Sequence, residues 1–205
     1  MTPSPDLSYE KKLWSSYSFI AGLDEAGRGA LAGPVCVGAV ILPRKHPHLL
    51  RTLSRVRDSK QLTPRERFAL VPLIQQTALA RGTGFASSEE IDQLGIVPAA
   101  RLAANRALEA LPLFPEYLLT DFRLELPELD IPQTAIVKGD ARCLSIACAS
   151  ILAKTARDEW MTSLHEDYPE YQFARHKGYG TLLHRKKILE LGRSPIHRKT
   201  FQIKD

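Results

Sequence analysis

Sulfur is scarce in this chain, and so are long apolar runs. Its 205 residues include three cysteines and two methionines. Cys36, Cys143 and Cys148 form no CxxC pair and lie in apolar surroundings. They read as small buried hydrophobes in a reducing compartment, not as a disulfide framework or a zinc site. No stretch approaches the roughly 18 apolar residues that span a bilayer. The opening MTPSPDLSYEKKLW has no apolar core of a signal peptide. The expectation is a cytoplasmic protein that touches no membrane. No GK[ST] follows the glycines, so there is no P-loop, and there is no internal repeat or low-complexity tract.

The charge is uneven. The net charge is +5. Between Gln172 and Asp205 stand nine basic residues (Arg175, Lys177, Arg185, Lys186, Lys187, Arg193, Arg198, Lys199 and Lys204) against Glu190 and Asp205. The rest of the chain is slightly acidic. A basic end beside an acidic cluster suits a polyanion held by one part and cut by the other, although a solvated basic tail has the same composition. Arg185, Lys186, Lys187, Arg198 and Lys199 are the candidate grip on a duplex backbone.

Strand and helix signals interleave after an initial hairpin. Ser18–Asp24 and the β-branched Pro34–Leu42 read as its two strands. Thr63-Pro64-Arg65-Glu66 is a capping box that opens a helix running to about Arg81, with Gly82 as its stop. Thr83–Ala86 is a third strand. Ser87-Ser88-Glu89-Glu90 opens a helical stretch interrupted near Gly95, and Pro98 opens a helix to about Leu111. Tyr117–Asp121 and Thr134–Lys138 are further strands. Arg142 to about Glu166 is a long helix whose small residues permit close packing on a sheet. A last helix runs from Thr181 to Leu191 and ends at Gly192. The pattern predicts a three-layer α/β domain on a mixed sheet. Residues 1–17 read as a loose N-terminal extension, 18–166 as the α/β domain and 167–205 as a basic helical region.

The chemistry sits at strand ends. Asp24 and Glu25 close an apolar run and lead into Gly27-Arg28-Gly29. Asp121 and Asp140 also end short apolar runs. Carboxylates gathered there cost stability unless a cation joins them, and oxygen ligands suit hard divalent ions. An isolated Asp-Glu pair would be a solvated turn; several strand-end carboxylates are not. Neighbouring strand residues face opposite ways, so the glycines are expected to supply an irregular backbone. Gly27, Gly29 and Gly33 imitate a dinucleotide fingerprint, but that motif opens a helix, and here Pro34 and a strand follow. Two positions without Cβ let a ligand approach the amides closely, as a phosphate or sugar hydroxyl would.

With these residues placed, the chain resembles ribonuclease HII. The matching stretches are GLDEAGRGALAGPV (22–35), DSKQLTPRER (58–67), LLTD (118–121), IVKGDARCLSIACASILAKTARD (136–158), YPEYQFARHKGYGT (168–181) and SPIHRKTF (194–201). The resemblance implies a ribonuclease H-like fold, a mixed five-stranded sheet flanked by helices with a helical C-terminal region. It implies an endoribonuclease that hydrolyses the RNA strand of RNA·DNA hybrids and nicks 5′ of single ribonucleotides in duplex DNA. The implied mechanism is two-metal-ion hydrolysis with Mn²⁺ or Mg²⁺, leaving 5′-phosphate and 3′-hydroxyl ends. Its metal ligands fall on Asp24, Glu25, Asp121 and Asp140. Its ribose-sensing backbone falls on Gly27, Arg28 and Gly29, and its junction-stacking tyrosine on Tyr179. Ser59 and Lys60 are candidate phosphate contacts, while Lys154 and Asp158, four apart on the long helix, read as an ion pair.

The chain departs from the pattern at Gly95, which stands where family members often carry Asn. No clamp-binding peptide is recognisable after Phe201, and a monomer is expected. Ribonuclease HIII, the nearest rival, carries a substantial extra N-terminal domain, whereas 17 residues precede the first strand here. A DNA integrase of the same superfold, or a basic protein that binds duplexes without cutting them, would be separated by metal-dependent cleavage of ribose-containing substrates.

Overall fold

A computed structural model describes residues 4–203. Lys204 of the basic tail and the first three residues of the extension lie outside the described residues. Ile20–Ala26 (β1) and Val35–Ile41 (β2) form the expected antiparallel hairpin, with Asp24 opposite Gly38 and Glu25 opposite Val37. Ala80–Ala86 (β3) joins β2 antiparallel. Tyr117–Asp121 (β4) runs parallel to β1, and Gln133–Ile136 (β5) parallel to β4. The sheet is mixed and five-stranded, in the order β3-β2-β1-β4-β5.

Eight α-helices surround it among the described residues: Ser8–Leu13 (α1), Leu49–Thr52 (α2), Pro64–Thr77 (α3), Ser88–Leu94 (α4), Ile96–Glu109 (α5), Leu144–Asp167 (α6), Phe173–His176 (α7) and Leu182–Leu191 (α8). The long α6 covers β1 and β2 on one face and α5 covers β2 and β3 on the other. Ile20, Val40 and Leu119 pack with Ile146 and Ile151 on the α6 side. Leu23, Val37 and Ile41 pack with Ala99, Ala103 and Ala107 on the α5 side. The strand period of two thus builds two cores, one per face. The approach of α6 is close because Gly22 and Gly38 carry no Cβ. One at Gly22 would strike the Ser145 backbone, and one at Gly38 the Ala149 carbonyl.

Several boundaries differ from those read in the sequence. The first strand continues through Asp24 and Glu25 to Ala26, because Ala26 still pairs with Cys36. The capping box at Thr63 and Glu66 forms, but α3 ends at Thr77 and Gly82 lies inside β3. Glycine there is a packing requirement and not a helix stop: a Cβ on Gly82 would meet the Ala107 carbonyl of α5. The helix assigned to Pro98 starts at Ile96, with Gly95 at φ 85° as the hinge between α4 and α5. The fifth strand ends at Ile136, since Lys138 turns the chain left-handed at φ 54°.

The N-terminal segment is docked, not loose. Leu7 and Trp14 are buried, and Glu10 is 1% exposed. Glu10 Oε1 accepts from Ser145 N at 2.8 Å, satisfying an orphan amide of α6 whose own N-cap residue, Cys143, offers no side-chain cap. All three cysteines are buried. No helix among the described residues is long and apolar enough to cross a membrane.

Candidate active site

The parallel pairing of β1 with β4 sets Leu23 beside Thr120. One residue further along that register, Asp24 stands beside Asp121. Asp140 arrives from the neighbouring β5 through the left-handed turn at Lys138 and a short 3₁₀ segment, Gly139–Ala141. That segment is pinned to the adjacent strand, because Gly139 N donates to Asp121 Oδ1 at 2.8 Å. Sheet geometry therefore gathers residues that lie 116 positions apart in sequence, from Asp24 to Asp140.

Burial and mutual repulsion govern the charges. Asp24 is 4% exposed. Burial, and then the neighbouring Glu25, hold its carboxyl well above the usual range, against a lowering contribution from the Ser150 hydroxyl. Burial also raises Glu25, although Arg28 opposes this from 3.3 Å. Burial raises Asp140 too, against the pull of Lys60, whose Nζ lies 3.2 Å from Asp140 Oδ2. The Lys60 ammonium is itself held above its ordinary value: burial would lower it, and Asp140 and Asp24 outweigh that.

Glu25 Oε2 is buried without a hydrogen-bond partner among the described residues. An orphaned carboxylate oxygen beside the buried, raised carboxyls of Asp24 and Asp140 is what a bound cation would resolve, and four oxygen-donor side chains fit a hard divalent ion. The residues present therefore fit the metal that the resemblance implies. Their side chains are not gathered as a ready cage: no three His, Cys, Asp or Glu among the described residues are grouped as a metal site. Instead Asp140 turns to Lys60, Glu25 to Arg28 and Asp121 to the Gly139 amide.

The acidic centre opens into a cleft of about 350 Å³ lined by Asp24, Glu25, the Gly27–Gly29 loop, Ser59, Lys60, Asp121, Arg123, Lys154 and Tyr179. All the site residues expected from the sequence line it except Asp140, which is reached through Lys60. The irregular backbone expected of the glycines is real at Gly27, with φ 91°. A Cβ there would strike the Arg157 side chain, whereas one at Gly29 would point into open space. Only Gly29 therefore leaves room for a ligand; at Gly27 the space belongs to the protein. Ser59 is buried, its Oγ accepting from Ser150 Oγ at 2.9 Å.

The Tyr179 segment is fastened to the glycine loop. Leu31 N and Ala32 N both donate to Gly178 O. The Tyr179 ring lies 4.9 Å from Lys154 Nζ and 5.2 Å from the Arg157 guanidinium carbon. Lys154 also pairs with Asp158 at 2.7 Å, as its spacing on α6 predicts. Sequence reasoning missed Arg123, Arg157 and the part that Lys154 plays beside Tyr179. Nothing in the sequence distinguishes Arg157 from a surface helix arginine, yet it is fully buried. The basic tail needs correction as well. Arg198, read as a grip on the duplex, is fully buried, and Lys186 and Lys187 both pair with Glu190.

Solved structures share this architecture. The ribonuclease H2 of Pyrococcus horikoshii superposes with TM-score 0.73 at 26% identity, covering 90% of this chain and 94% of that one. A structure of the PCNA:RNase HII complex from Archaeoglobus fulgidus matches with TM-score 0.74 at 27% identity, covering 91% and 96%. A ribonuclease HIII solved in complex with Mn²⁺ shares the fold at 20% identity and TM-score 0.63, over 89% of this chain and 67% of that one. The protein thus has the ribonuclease H-like fold. The family model for ribonuclease HII matches residues 21–204. A ribonuclease HII of Dehalococcoides mccartyi is 52% identical over 199 residues, 96% of this chain and 92% of the relative. One of Chlorobium phaeovibrioides is 47% identical, covering 96% of both. The chain belongs to the ribonuclease HII family and is an endoribonuclease of the ribonuclease H class, whose substrate is the RNA strand of RNA–DNA hybrids.

Proposed function

We propose that this enzyme cuts both within RNA·DNA hybrids and 5′ of a single ribonucleotide in duplex DNA, leaving 5′-phosphate and 3′-hydroxyl ends. The observation that carries the reading is that the acidic centre, the Gly27–Gly29 loop and Tyr179 share one cleft. The 2′-hydroxyl is the group that marks a ribose in such a duplex. Amides and a carbonyl on a tight loop can meet it as both donor and acceptor. Tyr179, with cations beside its ring, offers a face for the next sugar, where a deoxyribose fits and a bulkier neighbour does not. The exposed Lys60 ammonium beside Asp140 can bind phosphate oxygens, whereas the buried Ser59 hydroxyl, bonded to Ser150, would meet only a group that enters the cleft.

Asp24, Glu25, Asp121 and Asp140 would hold two divalent ions, Mn²⁺ or Mg²⁺, which when bound would supply an activated water and neutralise charge on the phosphate and leaving oxygen. Around them, Lys60 balances part of the negative charge of the acidic centre. RNA·DNA hybrids and ribonucleotide-containing DNA are the proposed partners. A sliding clamp is a further partner to test by co-elution, because the Archaeoglobus relative is solved with PCNA.

The deciding experiment is cleavage of a DNA duplex carrying one ribonucleotide, with Mg²⁺ or Mn²⁺. An all-DNA duplex and the Asp140→Asn variant are the controls. A metal-dependent nick on the 5′ side of the ribonucleotide, missing from both controls, is expected. Cutting of continuous RNA without that nick would discard the junction reading and leave hybrid cleavage standing.

A further inference from the structure

Arg198 and Arg157 are both fully buried, and among the described residues neither has a carboxylate partner. Buried guanidinium groups are costly unless every donor is used. Here each of the three nitrogens of both groups donates to at least one carbonyl oxygen. Arg198 donates to Gly27 O at 2.7 Å, Arg28 O at 2.9 Å, Gly33 O at 3.0 Å and Pro34 O at 3.1 Å. Arg157 donates to Pro34 O at 2.8 Å, Lys177 O at 3.0 Å and Ala32 O at 3.1 Å. One arginine thus holds both ends of the loop between β1 and β2, and the other ties that loop to the Tyr179 segment.

The orientation of those carbonyls has a consequence. In a trans peptide the C=O and the following N–H point in opposite directions. With Gly27 O and Arg28 O drawn inward to Arg198, the amides of Arg28 and Gly29 are turned away from it, towards the open side. Among the described residues neither amide donates to a protein acceptor. Resting on the ribose-sensing reading above, we infer that Arg198 is the positioning residue for recognition of the 2′-hydroxyl. Its planar fork aims the Arg28 and Gly29 amides without touching the substrate. A lysine keeps the charge but cannot span several carbonyls in one plane.

The test is a binding ratio in the Asp140→Asn background, where substrate persists. The dissociation constant of an all-DNA duplex is divided by that of the same duplex with one ribonucleotide. Arg198→Lys is expected to shrink this preference by on the order of tenfold, the scale of one misaligned hydrogen bond, while all-DNA affinity stays nearly constant. An unchanged ratio, or equal losses on both duplexes, overturns the proposal, because a merely structural role moves both together. If the parent Asp140→Asn protein shows no preference while the wild type nicks at the ribonucleotide, sensing by this loop is wrong and the inference falls with it. If the wild type does not nick there either, it is the junction reading itself that has failed. Should Arg198→Lys not fold, Arg193→Ala reads the same ratio. Arg193 holds the carbonyls of Arg198, Lys199 and Phe201 from the surface. A severalfold smaller preference supports the proposal, and a full one overturns it.

Discussion

At the scale of single residues, the site balances charges that would otherwise repel. Asp140 is bound on one side by Lys60, and its replacement by Asn keeps the shape while removing the charge of a proposed metal ligand. Cleavage should fall by more than about 100-fold, since even the outer supports of a metal site are worth that much. Duplex binding should persist, as a gel-shift titration would reveal. Tyr179→Ala removes a ring from the cleft but leaves the acidic centre untouched. The loss should be about tenfold greater at a lone ribonucleotide than along continuous RNA, in line with the usual worth of a stacked ring. Equal losses on the two substrates would count against junction stacking. The carboxylates themselves were legible in the sequence because each closes or follows a short apolar run, although only Asp121 proves to end a strand. Arg157 and Arg198 were not, because their partners are backbone carbonyls, which leave no trace in the identity of the residues that carry them.

At the scale of elements, the site depends on how closely α6 lies on the sheet. Gly38 sits opposite Asp24 and beneath the Ala149 carbonyl. Gly38→Ala forces that helix outward, and overpacking of this kind costs about 1–3 kcal/mol. Chemical denaturation should show the loss, with reduced cleavage as the helix shifts behind Asp24. Thr63→Ala, by contrast, removes only the cap of α3 and should cost about 1 kcal/mol with unchanged cleavage. That cap was readable because a capping box is a local pattern. The end of the same helix was not, since Gly82 answers to Ala107 of α5, and a contact across that distance has no local signature. The docking of α1 was hidden for the same reason: Glu10 serves Ser145, 135 residues later.

At the scale of the whole molecule, a buried histidine cluster ties the C-terminal region to the Tyr179 segment. His184 Nε2 lies 3.0 Å from His197 Nε2, and His184 Nδ1 lies 3.0 Å from Tyr179 O. His197 Nδ1 accepts from Ser194 N, which leaves its Nε2 to donate to His184. Burial pushes both His184 and His197 down to about 4 from an ordinary 6.5. Between those values the unfolded chain binds more protons than the folded one. The pair's contribution to stability is therefore whole above about pH 6.5 and is lost as the pH falls towards 4. Imidazole NMR signals should show both rings neutral at pH 5.5, and titration near 6.5 would contradict the packing. Binding should also weaken steeply with salt as phosphate contacts release counterions. With Arg198 buried, exposed cations such as Lys60 and Lys199 are the ones expected to contribute to that slope.

The class of fold, the order of its strands and helices, and the residue types of the acidic centre follow from the chain's local patterns. These depend on periodicity, capping and turn chemistry, which act over a few residues. The tertiary structure decided which charges face the cleft and which face inward. It turned Arg198 from a surface grip into an internal clamp, gave the space beside Gly27 to Arg157, and fastened the Tyr179 segment to the glycine loop. Each of these depends on carbonyl groups and glycine surfaces brought together from distant parts of the chain. Every residue carries a carbonyl, so only the folded arrangement selects which ones meet.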